Sequence, residues 1–179
     1  MVSRLTLVPG ESAAHGLRYW DLAVDDRLLR ELLMEGPAET SRADLAPVLV
    51  HNWPNGMSND VLVLLGERPA ELTTGRVPVF VCSVCGDLDC GATTVAVERT
   101  ADTVAWRNFG WETTFTLEDD DGEYVPIAGG PFVFARDQYE RELRRFVDTF
   151  DKVRAAGSPT EEATPPDDRR GRRRWWPRR

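Results

Sequence analysis

VPVFVCSVCGDLDCGATTVAVER, residues 77–99, is the stretch on which the fold turns. Two runs rich in β-branched and aromatic residues, Val77–Cys82 and Thr93–Glu98, flank a loop carrying Cys82, Cys85 and Cys90 with Gly86 and Gly91. Such runs suit the pleated, half-buried surface of a sheet, and the glycines and aspartates between them suit a turn. A third run, Thr103–Phe109, follows the tight turn Arg99-Thr100-Ala101-Asp102, so the three predict an antiparallel meander. Further strands are expected over Thr113–Leu117 and, after the Gly129-Gly130-Pro131 break, over Phe132–Phe134.

Working outward, residues 4–8 and 17–24 carry the β-prone residues of two early strands, the second apolar on both faces. Asp25 is expected to cap a short helix in which Leu28, Leu29, Leu32 and Leu33 recur at helical spacing and Gly36 supplies the stop. Residues 45–56, LAPVLVHNWPNG, read as a short strand entering a turn. Ser58 or Asn59 can cap a helix over Val61–Leu65 closed by Gly66, although five consecutive apolar residues also fit a buried strand. Arg136–Ala155 is the longest helical pattern, with Tyr139, Leu143, Phe146, Val147, Phe150 and Val153 on one stripe that should pack on the sheet. The expectation is one α+β domain over residues 1–156: an antiparallel sheet, a short N-terminal helix and a long C-terminal one. Residues 157–179 lack the spaced apolar residues of a core and read as a disordered tail rich in proline, arginine and tryptophan.

With 179 residues, 41% apolar and 29% charged, the chain has globular composition and enough length for one core. No stretch approaches the ~18 apolar residues of a membrane span, and the N-terminus has no signal-peptide core, so a cytoplasmic location is expected. The net charge is -8, but residues 169–179 hold seven arginines and no acid, leaving thirty acids against fifteen basic side chains elsewhere. An acidic body repels phosphates and suits a basic protein partner, as in an immunity-type inhibitor, if it is more than a solubilising surface. The arginines and tryptophans of the Arg169–Arg179 tail would suit nucleic acid or an anionic membrane, or mark a functionless extension.

Chemistry concentrates in the pattern C-x2-C-G-D-x2-C-G. Two residues between Cys82 and Cys85 let both sulfurs face one ion, and glycine after the second relieves crowding. In a reducing compartment such thiols point to metal, zinc first, before a disulfide framework. Structural zinc takes four ligands and the chain has three cysteines, so His51 is the preferred fourth ligand, with His15, Asp87, Asp89 or a water as alternatives. Thiol-disulfide exchange at Cys82 and Cys85 is the enzymatic alternative. Against it, no helix follows the pair, and Asp87 and Asp89 are expected to raise the thiol pKa values. Plain burial of three small thiols is the third reading.

Residues 82–86 resemble one zinc knuckle, without the second knuckle of a zinc ribbon. The hairpin, with VAWRNFGWE at residues 104–112 and PFVFARDQYE at residues 131–140, is similar to a group of small bacterial α+β proteins. That resemblance implies the α+β domain and brings no reaction or catalytic residue with it. Phosphate-loop, dinucleotide and HExxH motifs are missing from the sequence, and a Cys/His51/Asp nucleophile rests on residue types alone. Trp106, Phe109 and Trp111 are expected in the core ahead of a ligand platform. The acids of residues 118–123 lack the alternation of a calcium loop.

Overall fold

The structure, a computed structural model, describes residues 1–34, 45–114 and 124–156. Its larger sheet is the expected meander with additions. Strands β5 (Val77–Cys82), β6 (Ala92–Arg99) and β7 (Thr103–Glu112) pair antiparallel in chain order. A short β4 (Leu45–Pro47) joins the outer side of β5. On the far side of β7 lie β8 (Val125–Pro126) and, further along the same strand, β9 (Phe132–Ala135). β7 runs three residues beyond the expected Phe109, because Gly110, Trp111 and Glu112 pair with Thr94, Thr93 and Ala92. The strand expected over Thr113–Leu117 does not form at Thr113–Thr114, where the chain has left the ladder to bond the cysteine loop. Residues 115–117 lie outside the described residues.

A second, three-stranded sheet is built from β1 (Leu5–Ser12), β2 (Leu17–Val24) and β3 (Arg27–Leu28), paired antiparallel. The expected role of Asp25 is corrected here. Asp25 and Asp26 have φ of 50° and 67° and join β2 to β3 in a two-residue turn, while helix α1 begins later, at Leu29 (Leu29–Met34). Two positive-φ residues match the twist of a hairpin, and aspartate tolerates that conformation better than most side chains. The Asp25 carboxylate accepts the backbone N–H of Arg4, and the Asp25 N–H donates to the Arg4 carbonyl. Gly36, read as the helix stop, lies outside the described residues. The sheets are stitched together by a bridge from Tyr19 to Val50 and another from Ser3 to Phe134.

Apolar side chains of both sheets meet, in one core, those of three α-helices among the described residues. Helix α2 (Asn59–Leu65) takes Ser58 as its N-cap, the side chain accepting the Asp60 N–H at 3.2 Å, and Gly66 at φ 78° as its left-handed stop. Helix rather than strand therefore settles the ambiguous apolar run. Helix α3 (Arg136–Ala156) buries Tyr139, Leu143, Phe146 and Phe150, one stripe as expected. Tyr139 is the polar key of this packing. Its hydroxyl donates to the Leu64 carbonyl at 2.9 Å and accepts the Trp106 indole N–H at 3.2 Å, tying α3 to α2 and β7. The tail from residue 157 onward lies outside the described residues.

Candidate metal centre

The cysteine loop is built by capping chemistry at each step. β5 delivers Cys82, whose carbonyl accepts the Gly86 N–H at 2.9 Å, and Gly86 takes the positive φ of 70° that this reversal demands. Asp87 then caps a single 3-10 turn, Leu88–Cys90, its carboxylate accepting the Asp89 N–H at 2.9 Å. Gly91, at φ 89°, passes the chain into β6 beneath the Trp111 indole, which occupies the space a Cβ would need. The end of β7 clamps the loop from outside. The Thr113 hydroxyl donates to the Asp89 carbonyl at 3.0 Å, the Thr114 N–H donates to the Leu88 carbonyl at 3.3 Å, and the Thr114 hydroxyl bonds the Asp89 carboxylate.

This folding brings the sulfurs of Cys82, Cys85 and Cys90 within 4.8 Å of one another, with Cys85 and Cys90 in contact at 3.5 Å. Thiolates about 2.3 Å from a common tetrahedral ion lie roughly 3.8 Å apart, so the cluster has the dimensions of a shared metal site. Cys82 is half-buried at the sheet end, and Cys85 and Cys90 are exposed. Electrostatics set Cys82 and Cys90 apart. Burial opposes ionisation of Cys82, but the backbone N–H groups of Cys85 and Val84 and the neighbouring thiols outweigh it, and its pKa falls below the ordinary 9.0. The Cys90 thiol is pushed up to about 11, first by its hydrogen bond with Cys85 and then by the charge there. Cys82 therefore gives up its proton more easily than an ordinary thiol and Cys90 less easily, and a cation shared by the sulfurs would favour the ionised form of both.

The groups that act on these two thiols are backbone amides and the other cysteines, where Asp87 and Asp89 had been expected. The Asp87 carboxylate caps the turn, and that of Asp89 bonds the Thr114 hydroxyl. His51 is not brought to the cluster: its ring is 1% exposed and packs 4.7 Å from Phe146 and 5.5 Å from Trp20, inside the core. The apolar residues on both sides of it pull this segment beneath α3, and the histidine goes with them. His15 sits in the exposed β1–β2 turn. Among the described residues the cluster has three ligands.

Sequence reasoning missed what lies beside the loop. A cavity of about 480 Å³ abuts it at Cys85, Gly86 and Leu88, with Trp53 on one wall and Asp60 and Glu71 on another. Trp53 also lies against Gly86, at the distance of ordinary contact for a side-chain carbon there. Asp60 is 8% exposed, and its pKa is raised to about 6, chiefly by burial. Nothing in the sequence singled out Asp60; its neighbours Ser58 and Asn59 read only as candidate helix caps.

Trp106 and Phe109 are core residues, while Trp111 is partly exposed over Gly91. The acidic run 118–123 and the Arg169–Arg179 tail lie outside the described residues, as do the expectations attached to them. No helix among the described residues is long and apolar enough to cross a membrane. Comparison of the chain with protein-family models, with curated proteins and with solved structures returned no match.

Proposed function

We propose that the protein is a non-enzymatic metal-binding module that holds zinc through Cys82, Cys85 and Cys90, the ion locking the β5–β6 loop in shape. The observation that carries this reading is the convergence of three sulfurs within 4.8 Å on one loop. Thiolates select soft or borderline ions, zinc among them, and a bound dication would offset the hydrogen bond and charge of Cys85 that hold the proton on Cys90. Two-residue spacing with glycine after the second cysteine supports the same assignment. The test is metal content and free thiols measured together on protein purified under reducing, chelator-free conditions. Near-stoichiometric zinc is expected, and its loss in Cys90→Ser. Metal-free protein with three titratable thiols would overturn the reading.

A second reading is favoured by one distance, the 3.5 Å contact between the exposed sulfurs of Cys85 and Cys90. In it these two thiols pass two electrons and two protons to a disulfide substrate and close to a disulfide, with Cys82 and Cys85 the alternative pair. Closing to a bond of about 2.05 Å needs only a small loop movement. Metal-free protein with one reversible disulfide, and turnover of a disulfide substrate lost in Cys85→Ser, would establish this chemistry.

A further inference from the structure

Zinc held by three cysteines takes a fourth ligand from elsewhere, and the surroundings of the loop say what kind of molecule can supply it. Asp87 is engaged in the turn, Asp89 in a bond to Thr114, and His51 is in the core. The cavity of about 480 Å³ reaches the cluster on the side of Cys85. Its volume suits a small molecule. Trp53, Val81 and Leu88 give it apolar walls, Asp60 and Glu71 give it acid, and none of the described residues that line it is basic.

Charge narrows the choice further. A zinc ion with three thiolates carries one net negative charge, and two carboxylates stand in the same cavity. A second anion without compensation would enter against all of these charges, in a site only partly screened by water. A cationic group on the same molecule reverses that balance. Asp60 is the natural partner: it is nearly buried, and its side-chain bond to the Ser58 hydroxyl at 2.8 Å does not neutralise it.

We infer that the cavity beside the cysteine loop binds a small aminothiol, its sulfur completing the metal's coordination and its ammonium group facing Asp60. This rests on the metal-binding reading and extends it from a structural ion to a ligand-accepting one. The thiol loses its proton on coordination, as a metal-bound thiol does, and no electrons are transferred.

The probes are cysteamine and mercaptoacetate, two thiols of similar size and opposite charge, titrated anaerobically into the full chain loaded with one cobalt(II). Cobalt reports its ligand set through its visible and thiolate-to-metal absorption. Cysteamine is expected to give a saturable spectral change with cobalt retained by the protein, at a half-saturating concentration roughly tenfold below that of mercaptoacetate. Asp60→Asn should narrow the gap most. Glu71→Gln, at a more exposed position, should narrow the gap and guards against a folding defect in the first variant. Equal half-saturation for both thiols, no spectral change, or cobalt stripped from the protein would each overturn the inference while leaving a cobalt-thiolate site in evidence. Absence of the thiolate-to-cobalt band before any probe is added would instead remove the metal reading, and this inference with it.

Discussion

His51 and Asp60 are two buried titratable groups that act on stability in opposite senses. Burial, helped by the charge of Arg18, holds the His51 pKa below 6.5. The unfolded chain therefore takes up this proton first as pH falls, and the fold loses stability from about pH 6.5 downward until the folded form also binds it. Neither ring nitrogen has a hydrogen-bond partner among the described residues, so no hydrogen bond there offsets the desolvation of the charged form. His51→Leu should flatten the acid side of a urea-midpoint profile between pH 6.5 and 5.5, and an unchanged slope would show that another group governs it. For Asp60 the sign reverses. Its pKa is raised from 3.8 to about 6 by burial, opposed by the Ser58 bond and reinforced by Glu71, so the folded state binds the extra proton within that window. Stability then falls as pH rises from about 4 to about 6, and the cost of the buried charge is present in full at neutrality. Asp60→Asn should be near neutral at pH 4 and stabilising at pH 7 by on the order of 2 kcal/mol. Equal effects at the two pH values would refute that account.

At the scale of elements, the packing of α3 depends on one hydroxyl more than on the length of its apolar stripe. Tyr139→Phe keeps the ring in place but leaves the buried Trp106 N–H without its acceptor and removes the donor to the Leu64 carbonyl. The expected cost is about 1–3 kcal/mol, read as a lower urea midpoint at unchanged slope. A variant as stable as the parent would show that water replaces both bonds. The stripe itself was legible, as were the β5–β7 meander and the Ser58 and Gly66 caps, because each is written within a few consecutive residues. Asp25 was misread because the same side chain serves a helix cap and a positive-φ turn, and the choice between them is made by the pairing of Val24 with Arg27. The extension of β7 to Glu112 depends likewise on register with Ala92, a relation between strands that no single segment reveals.

Over the whole molecule, the three cysteines stand outside the hydrophobic core, which the loop touches through Leu88. The loop was legible because its three cysteines span nine residues, whereas the cavity beside it joins Trp53, Asp60 and Glu71 to Cys85 across the fold. The core, by contrast, is assembled from both sheets and all three helices, and none of the cysteines belongs to it. Metal binding should therefore be coupled to local order far more than to global folding, unlike small zinc fingers that are unfolded without their ion. Removing the ion with a chelator under reducing conditions should lower amide-exchange protection across residues 82–91 and in the clamping segment 111–114. Protection at Trp106, Tyr139 and Leu143 should stay near its original value. The thermal midpoint should drop on removal and rise again with the concentration of free zinc when zinc is restored, as expected for a ligand bound only by the native state. Complete unfolding on chelation would contradict the separation of loop and core, and would make the ion a founding part of the fold. Unchanged exchange throughout would show that the loop is held by Asp87, Thr113 and Gly91 alone, without help from a metal.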